Sequence, residues 1–178
     1  DTASPLIVLL HGLGGTPRII EYDGIREEAE QHGYIVVAPY GYNKRGWYGL
    51  FGPGKSFFNE GPDGPTPDNI GFLSETDVIN VFEMVNEEFN IDPKRSYLMG
   101  HSMGGGGTMY LGGEYSQYWA ALALLAPALF GSTDQLEAIK HIPIFIAQGD
   151  ADELISVDMA RRWVARMEEL EMTHTYVE

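Results

Sequence analysis

The sequence predicts an α/β protein on a doubly wound, mostly parallel sheet, and three observations predict it. Short apolar runs rich in branched residues recur along the chain. Stretches with apolar residues every three to four positions lie between them. One run passes directly into Gly100-His101-Ser102-Met103-Gly104 and then into a small-residue stretch able to start a helix. Continuous short apolar runs suit strands buried on both faces of a parallel sheet. Strands that alternate with helices imply βαβ units.

The elements follow in chain order. Residues 6–10 form the first run, bounded by Pro5 and the turn Gly12-Leu13-Gly14-Gly15. Residues 34–38 form the second and end at Pro39. Residues 96–99, 120–126 and 144–147 are the third to fifth, and residues 174–177 begin a sixth. Ser74 is placed to cap a helix with Val78, Val81, Phe82, Val85 and Phe89 at helical spacing. Ser156 is placed to cap another, with Ala160, Trp163, Met167 and Leu170 along one stripe. Residues 41–71 differ: they are rich in glycine and proline, lack periodicity, and carry Tyr42, Trp47, Tyr48, Phe51, Phe57 and Phe58. A loop this long in a compact domain is functional or disordered, and six aromatics argue against disorder. It leaves the carboxyl end of the second strand, the edge where open α/β sheets bind ligands.

Composition narrows the function. The 178 residues suffice for one domain, 1–178, and no linker or repeat divides them. Eleven basic against 26 acidic residues give a formal charge of −15. That argues against binding nucleic acid through phosphates and against anionic membrane surfaces. There is no cysteine, hence no disulfide, thiol chemistry or cysteine metal site. No apolar run approaches the ~20 residues of a membrane helix. The first residues lack the basic and apolar regions of a signal peptide. Either side of a cell membrane remains open as the compartment, and so does assembly into a homo-oligomer.

The chemistry lies in three turns. Gly-x-Ser-x-Gly alone is a weak signal, but a preceding strand and a following helix make it a nucleophile elbow. Ser102 is then the nucleophile. The Met103 N–H opens a helix with no partner inside it and is free to donate to an oxyanion. His11-Gly12-Leu13-Gly14-Gly15 follows the first strand, where acyl-transfer enzymes carry the second oxyanion donor. Leu13 N–H is the first candidate, with Gly12 and Gly14 behind it, and the His11 side chain is read as structural. After the fifth strand, Asp150, Asp152 and Glu153 are candidates for a carboxylate that orients a histidine. The aromatic loop supplies Trp47 and Tyr48 as candidate substrate-binding residues for an apolar group.

With these residues in hand, the chain resembles an α/β-hydrolase of the esterase and lipase type. The matching segments are His11-Gly12, Gly100-His101-Ser102-Met103-Gly104-Gly105 and Gly149-Asp150-Ala151-Asp152-Glu153-Leu154-Ile155. Within that superfamily it is most similar to compact carboxylesterases related to polyester depolymerases, feruloyl esterases and prolyl-oligopeptidase-like domains. The resemblance implies a carboxylic ester as the small-molecule substrate, an acyl-enzyme on Ser102, Asp152 as the acid, and neither metal nor other cofactor. It also implies the order serine, acid, histidine, with the histidine in the loop after the last strand.

Here the pattern departs. Only His174 follows Asp152, and it opens the sixth strand, whereas the catalytic loops lie at the strand's far end. Four residues at about 3.3 Å each put it about 13 Å away. His32 and His141 belong to the wrong edge, and the His101 side chain is expected to point away from Ser102 Oγ. The chain is therefore expected to lack the family's first two strands and last helix, to be incomplete at both ends, and to hold no productive triad within itself. Two rival readings follow from this: a prolyl-oligopeptidase-type peptidase, or a hydrolase-like fold used for binding.

Overall fold

Strands β1 (Ser4–Leu10), β2 (Ile35–Val37), β3 (Ile91–His101), β4 (Ala121–Leu125), β5 (Ile144–Ala147) and β6 (His174–Val177) form one sheet in the order β2-β1-β3-β4-β5-β6. Every neighbouring pair is parallel. This is a computed structural model, and it describes residues 2–22, 24–62 and 64–178. Four helices connect the strands: α1 (Ile25–His32), α2 (Ile70–Glu88), α3 (Met103–Glu114) and α4 (Val157–Glu169).

Strand order determines which face each helix covers. Parallel crossovers are right-handed in nearly all proteins. The step from β1 to β2 runs one way across the sheet, and every later step runs the other way. Helices α2, α3 and α4 accordingly share one face, and α1 lies on the other. The burial agrees. Leu6, Val8, Leu10, Leu98, Leu122, Leu124, Ile144 and Ile146 are buried in one core with Val78 and Phe82 of α2, Met109 and Leu111 of α3, and Trp163 and Met167 of α4. On the opposite face, α1 shares a groove with Ile7, Leu9, Val36 and Met99. Full burial on both faces, expected from the apolar runs, holds for only one of them. Tyr97 and Met99 are half-buried and Phe145 is exposed, because α1 alone covers that face among the described residues.

Several boundaries differ from expectation for local reasons. Strand β3 begins five residues earlier than its apolar run, through Asp92-Pro93-Lys94-Arg95. The Arg95 guanidinium closes this polar segment, donating to Asp92 at 2.7 Å and to the Ala3 carbonyl at 2.8 Å. Ser74 is not a cap. Helix α2 starts at Ile70, and its early N–H groups use loop carbonyls: Gly71 N–H donates to Gly54 and Phe72 N–H to Pro53. Ser74 sits fully buried one turn in, where its Oγ accepts the Tyr48 N–H at 3.0 Å. Ser156 does cap α4, accepting from Asp158 N–H. Helix α1 gave no strong periodic signal; two left-handed glycines, Gly24 and Gly33, set its ends.

Helix α3 carries four consecutive glycines, each costing roughly 1 kcal/mol against alanine in helix propensity. Packing explains them. A Cβ on Gly104 would collide with the Leu10 carbonyl, and one on Gly107 would press into the Tyr48 ring. Glu75 of α2 adds a polar tie: Tyr110 donates to it at 3.0 Å and Tyr115 at 2.6 Å. Burial, then the carboxylate, raises both phenol pKa values. Among the described residues no helix is long and apolar enough to cross a membrane.

Trp163 is the largest fully buried side chain and joins α4 to the sheet. Trp163→Ala is expected to destabilise the fold by about 3–5 kcal/mol, measured as the shift in urea-denaturation midpoint with an unchanged slope.

Candidate functional site

The crossovers from β1 and β3 leave in opposite directions, and such a reversal opens a crevice at the carboxyl ends of the two strands. The loop after β1 and the turn after β3 meet there, with residues from four further segments around them.

Ser102 occupies the turn between β3 and α3 at φ 56°, ψ −114°. A non-glycine residue held there stores strain of order 1–3 kcal/mol. Three backbone bonds hold it: Ser102 N–H to the Leu125 carbonyl at 2.9 Å, and the Ser102 carbonyl accepting from Gly106 at 3.1 Å and Ala128 at 3.0 Å. Strand β4 and its following loop therefore brace the turn. The flanking glycines are there because backbone comes too close. A Cβ on Gly100 would strike the Gly104 carbonyl, and one on Gly104 would strike the end of β1.

Met103 is the first residue of α3, so its N–H has no intrahelical acceptor. Among the described residues no other backbone acceptor takes it. Across the crevice the glycine loop already uses one of its three candidate donors. Gly14 N–H donates to the Lys44 carbonyl at 2.9 Å and is already used. The Gly12 carbonyl accepts from Gly15 N–H at 2.9 Å and lies 2.8 Å from His11 Nδ1. Because the Gly12 carbonyl and the Leu13 N–H belong to one planar trans peptide, holding the oxygen turns the N–H the opposite way. His11 is buried, and its Nε2 lies 3.0 Å from the Tyr40 carbonyl. Its two ring nitrogens thus face two backbone carbonyls. The structural reading of His11 agrees with this geometry.

A cleft of about 450 Å³ opens over Ser102, lined among others by Leu13, Tyr22, Trp47, Phe130 and Leu154. Trp47 is fixed in it: Nε1–H donates to the Phe58 carbonyl at 3.0 Å, and the ring meets Phe51, Phe58 and Phe130 edge-on or tilted at 5.1–5.9 Å. Tyr48 does not line this cleft, contrary to its expected role in substrate binding. It is 0% exposed, and its hydroxyl donates to the His11 carbonyl at 3.0 Å beneath the glycine loop. Both neighbours adopt positive φ, 56° and 54°, and they part company, Trp47 lining the cleft and Tyr48 lying buried.

Asp152 is half-buried, while Asp150 and Glu153 are exposed. Its Oδ1 accepts from Leu154 N–H at 2.8 Å and Ile155 N–H at 2.9 Å, and its Oδ2 from the Gln148 amide at 3.1 Å. The backbone donors of Ile155 and Leu154, helped by Gln148 and the nearby His101, hold the carboxyl below the usual carboxylate range. Asp152 is therefore anionic at neutral pH and held in one orientation. Gln148 itself is buried, with its amide shared among Asp152, the Ile155 carbonyl and the Gly149 carbonyl.

None of the five histidines bridges Ser102 and Asp152 by hydrogen bonds among the described residues. His174 opens β6 at the opposite sheet edge, its Nδ1 3.0 Å from the Met172 carbonyl. His32 ends α1, and His141 precedes β5. The exposed ring of His101 borders the cleft beside Gly12. The reading from sequence missed Phe130, Tyr22, Leu154 and Gln148. Phe130 was within reach of the rule already used for residues 41–71, since it too follows the carboxyl end of a strand. Among the described residues no three His, Asp or Glu side chains gather as a metal site.

Comparison with known proteins agrees with this architecture. Residues 1–142 match the family described as "Serine aminopeptidase, S33". The chain is 30% identical over 155 residues to the bifunctional acetylxylan esterase/xylanase XynS20E of Neocallimastix patriciarum, covering 86% of this chain and 20% of that protein. It is 29% identical over 188 residues to the S-formylglutathione hydrolase of Bos taurus, covering 85% and 66%. The chain thus spans less than two thirds of these curated relatives. The crystal structure of a thermostable esterase superposes with a TM-score of 0.73 at 24% identity, covering 100% of this chain and 47% of that one. A sheet with this switch point, an elbow after its third strand and a match over most of its length together place the chain in the serine aminopeptidase S33 family, within the α/β-hydrolases.

Proposed function

We propose that the protein acts as a serine carboxylesterase on small, apolar esters. The observation that carries this reading is Ser102, strained at φ 56° over an open cleft with the Leu13 loop across from it. In this reading Ser102 Oγ attacks the ester carbonyl and the alcohol leaves. Water then cleaves the acyl-enzyme, releasing the acid and regenerating Ser102. Leu13 and Met103 N–H groups hold the oxyanion of each tetrahedral intermediate; removing one such donor costs about 10²–10³ in rate. Asp152 orients and balances the charge of the general base, a histidine that no hydrogen bond among the described residues brings to Ser102. The fixed, ionised state of the Asp152 carboxylate supports that role. A non-catalytic binding role is the second reading, favoured by the positions of the five histidines. Failure of a fluorophosphonate to label Ser102 would support it.

Ser102→Ala is expected to abolish hydrolysis of p-nitrophenyl acetate while leaving the circular dichroism and melting curve unchanged; wild-type turnover in the variant overturns the assignment. In a protein that contains the base, Asp152→Asn is expected to lower kcat about 10⁴-fold, as a wrong imidazole tautomer does. Asp150→Asn is expected to cost far less, because Asp150 is exposed; the reverse ranking would move the acid to Asp150. Trp47→Ala is expected to raise KM for longer acyl chains more than for acetate, since its ring walls the cleft. A lower melting temperature with an unchanged chain-length profile would make Trp47 a packing residue only.

A further inference from the structure

Among the buried polar groups that the mechanism leaves unused is the hydroxyl of Tyr48. Its surroundings constrain it on every side. The ring lies between Gly41 and Gly107, where an added Cβ on either would be too close. It meets the His11 imidazole edge-on at 5.8 Å. Its N–H is held by Ser74 Oγ at 3.0 Å, which keeps Tyr48 in a left-handed conformation at φ 54°. With the ring so placed, the hydroxyl reaches one acceptor, the His11 carbonyl, at 3.0 Å. Burial pushes the phenol pKa up, so the group is a proton donor throughout the working pH range.

The His11 carbonyl is the first peptide oxygen beyond β1, and it sets the plane of the His11–Gly12 peptide. The next plane carries the Gly12 carbonyl, held by Gly15 N–H and faced by His11 Nδ1, and the Leu13 N–H. Two successive planes are thus anchored by hydrogen bonds, the first from Tyr48 and the second from Gly15. We propose that Tyr48 is a positioning residue for the oxyanion hole: its hydroxyl fixes the His11 carbonyl from beneath and so aims the Leu13 N–H at the substrate. This rests on the esterase reading for its effect on rate, but not for its effect on the loop.

The arrangement acts through orientation alone, since Tyr48 touches no substrate. A donor displaced by about 1 Å can cost up to 10²-fold, and the loss falls on the transition state, where the charge develops. Tyr48→Phe keeps the ring and removes the hydroxyl. In a protein that contains the base it is expected to lower kcat for p-nitrophenyl acetate at least 10-fold with KM unchanged, and Tyr48→Leu is expected to do no better. Amide exchange at Gly14 and Gly15, followed by NMR, is expected to speed up in Tyr48→Phe by at least 10-fold over the exchange of β4 amides. Unchanged kcat in an active enzyme overturns the proposal even where the melting temperature falls, because a packing role predicts that result. Unchanged exchange at Gly14 and Gly15 overturns it as well, whether or not the wild type turns over ester. An inactive wild type would count against the esterase reading alone.

Discussion

The approach of helix α3 to the end of β1 is the constraint on which the rest of the site depends. It places Gly104 against the Leu10 carbonyl, with no room for a Cβ between them. That contact fixes the start of the helix, and with it Ser102, beside the loop that begins one residue after Leu10. Nucleophile and glycine loop are therefore brought together by the backbones of adjacent strands rather than by any side chain reaching across. The glycines that make α3 a poor helix on its own are what let it dock, and burial in the common core offsets their propensity cost.

Around this contact the sheet supplies the braces. Strand β4 and the loop after it hold the Ser102 N–H and carbonyl, through Leu125 and Ala128. Strand β5 ends at the Gln148 amide that steadies Asp152. Each successive strand thus delivers one support to the same edge, which parallel order makes inevitable: all carboxyl ends point one way. The strain at Ser102 persists because these bonds over-determine it.

Much of this was legible in the residues. Six strands appear where the apolar runs lie, and those at 144–147 and 174–177 match their runs to the residue. The elbow could be read because its chemistry is local: a strand, two glycines and a helix in immediate succession. The residues after the fifth strand left Asp150, Asp152 and Glu153 open, and only the resemblance singled out Asp152, whose carboxylate takes backbone donors two and three residues away. Features set by distant partners were not legible. Ser74 has the composition of a cap, yet a loop 26 residues earlier in sequence claims its hydroxyl for the Tyr48 N–H. Trp47 and Tyr48 are chemically alike as neighbours, and distant partners separate them, the Phe58 carbonyl holding the Trp47 indole at the cleft and the His11 carbonyl holding the Tyr48 hydroxyl beneath it. No pattern of aromatics in a sequence encodes such a reversal. The α1 helix escaped because its ends are marked by left-handed glycines rather than by side-chain caps.

The thinly covered sheet face has a colloidal consequence. Ile7, Tyr97, Met99 and Phe145 line an apolar groove on a molecule that carries a formal charge of −15. At neutral pH, mutual repulsion between molecules opposes the approach of two such grooves. As acid neutralises the carboxylates, that repulsion fades while the apolar attraction does not. The excess of acidic residues thus bears on how copies of the protein meet as well as on which partners they reject.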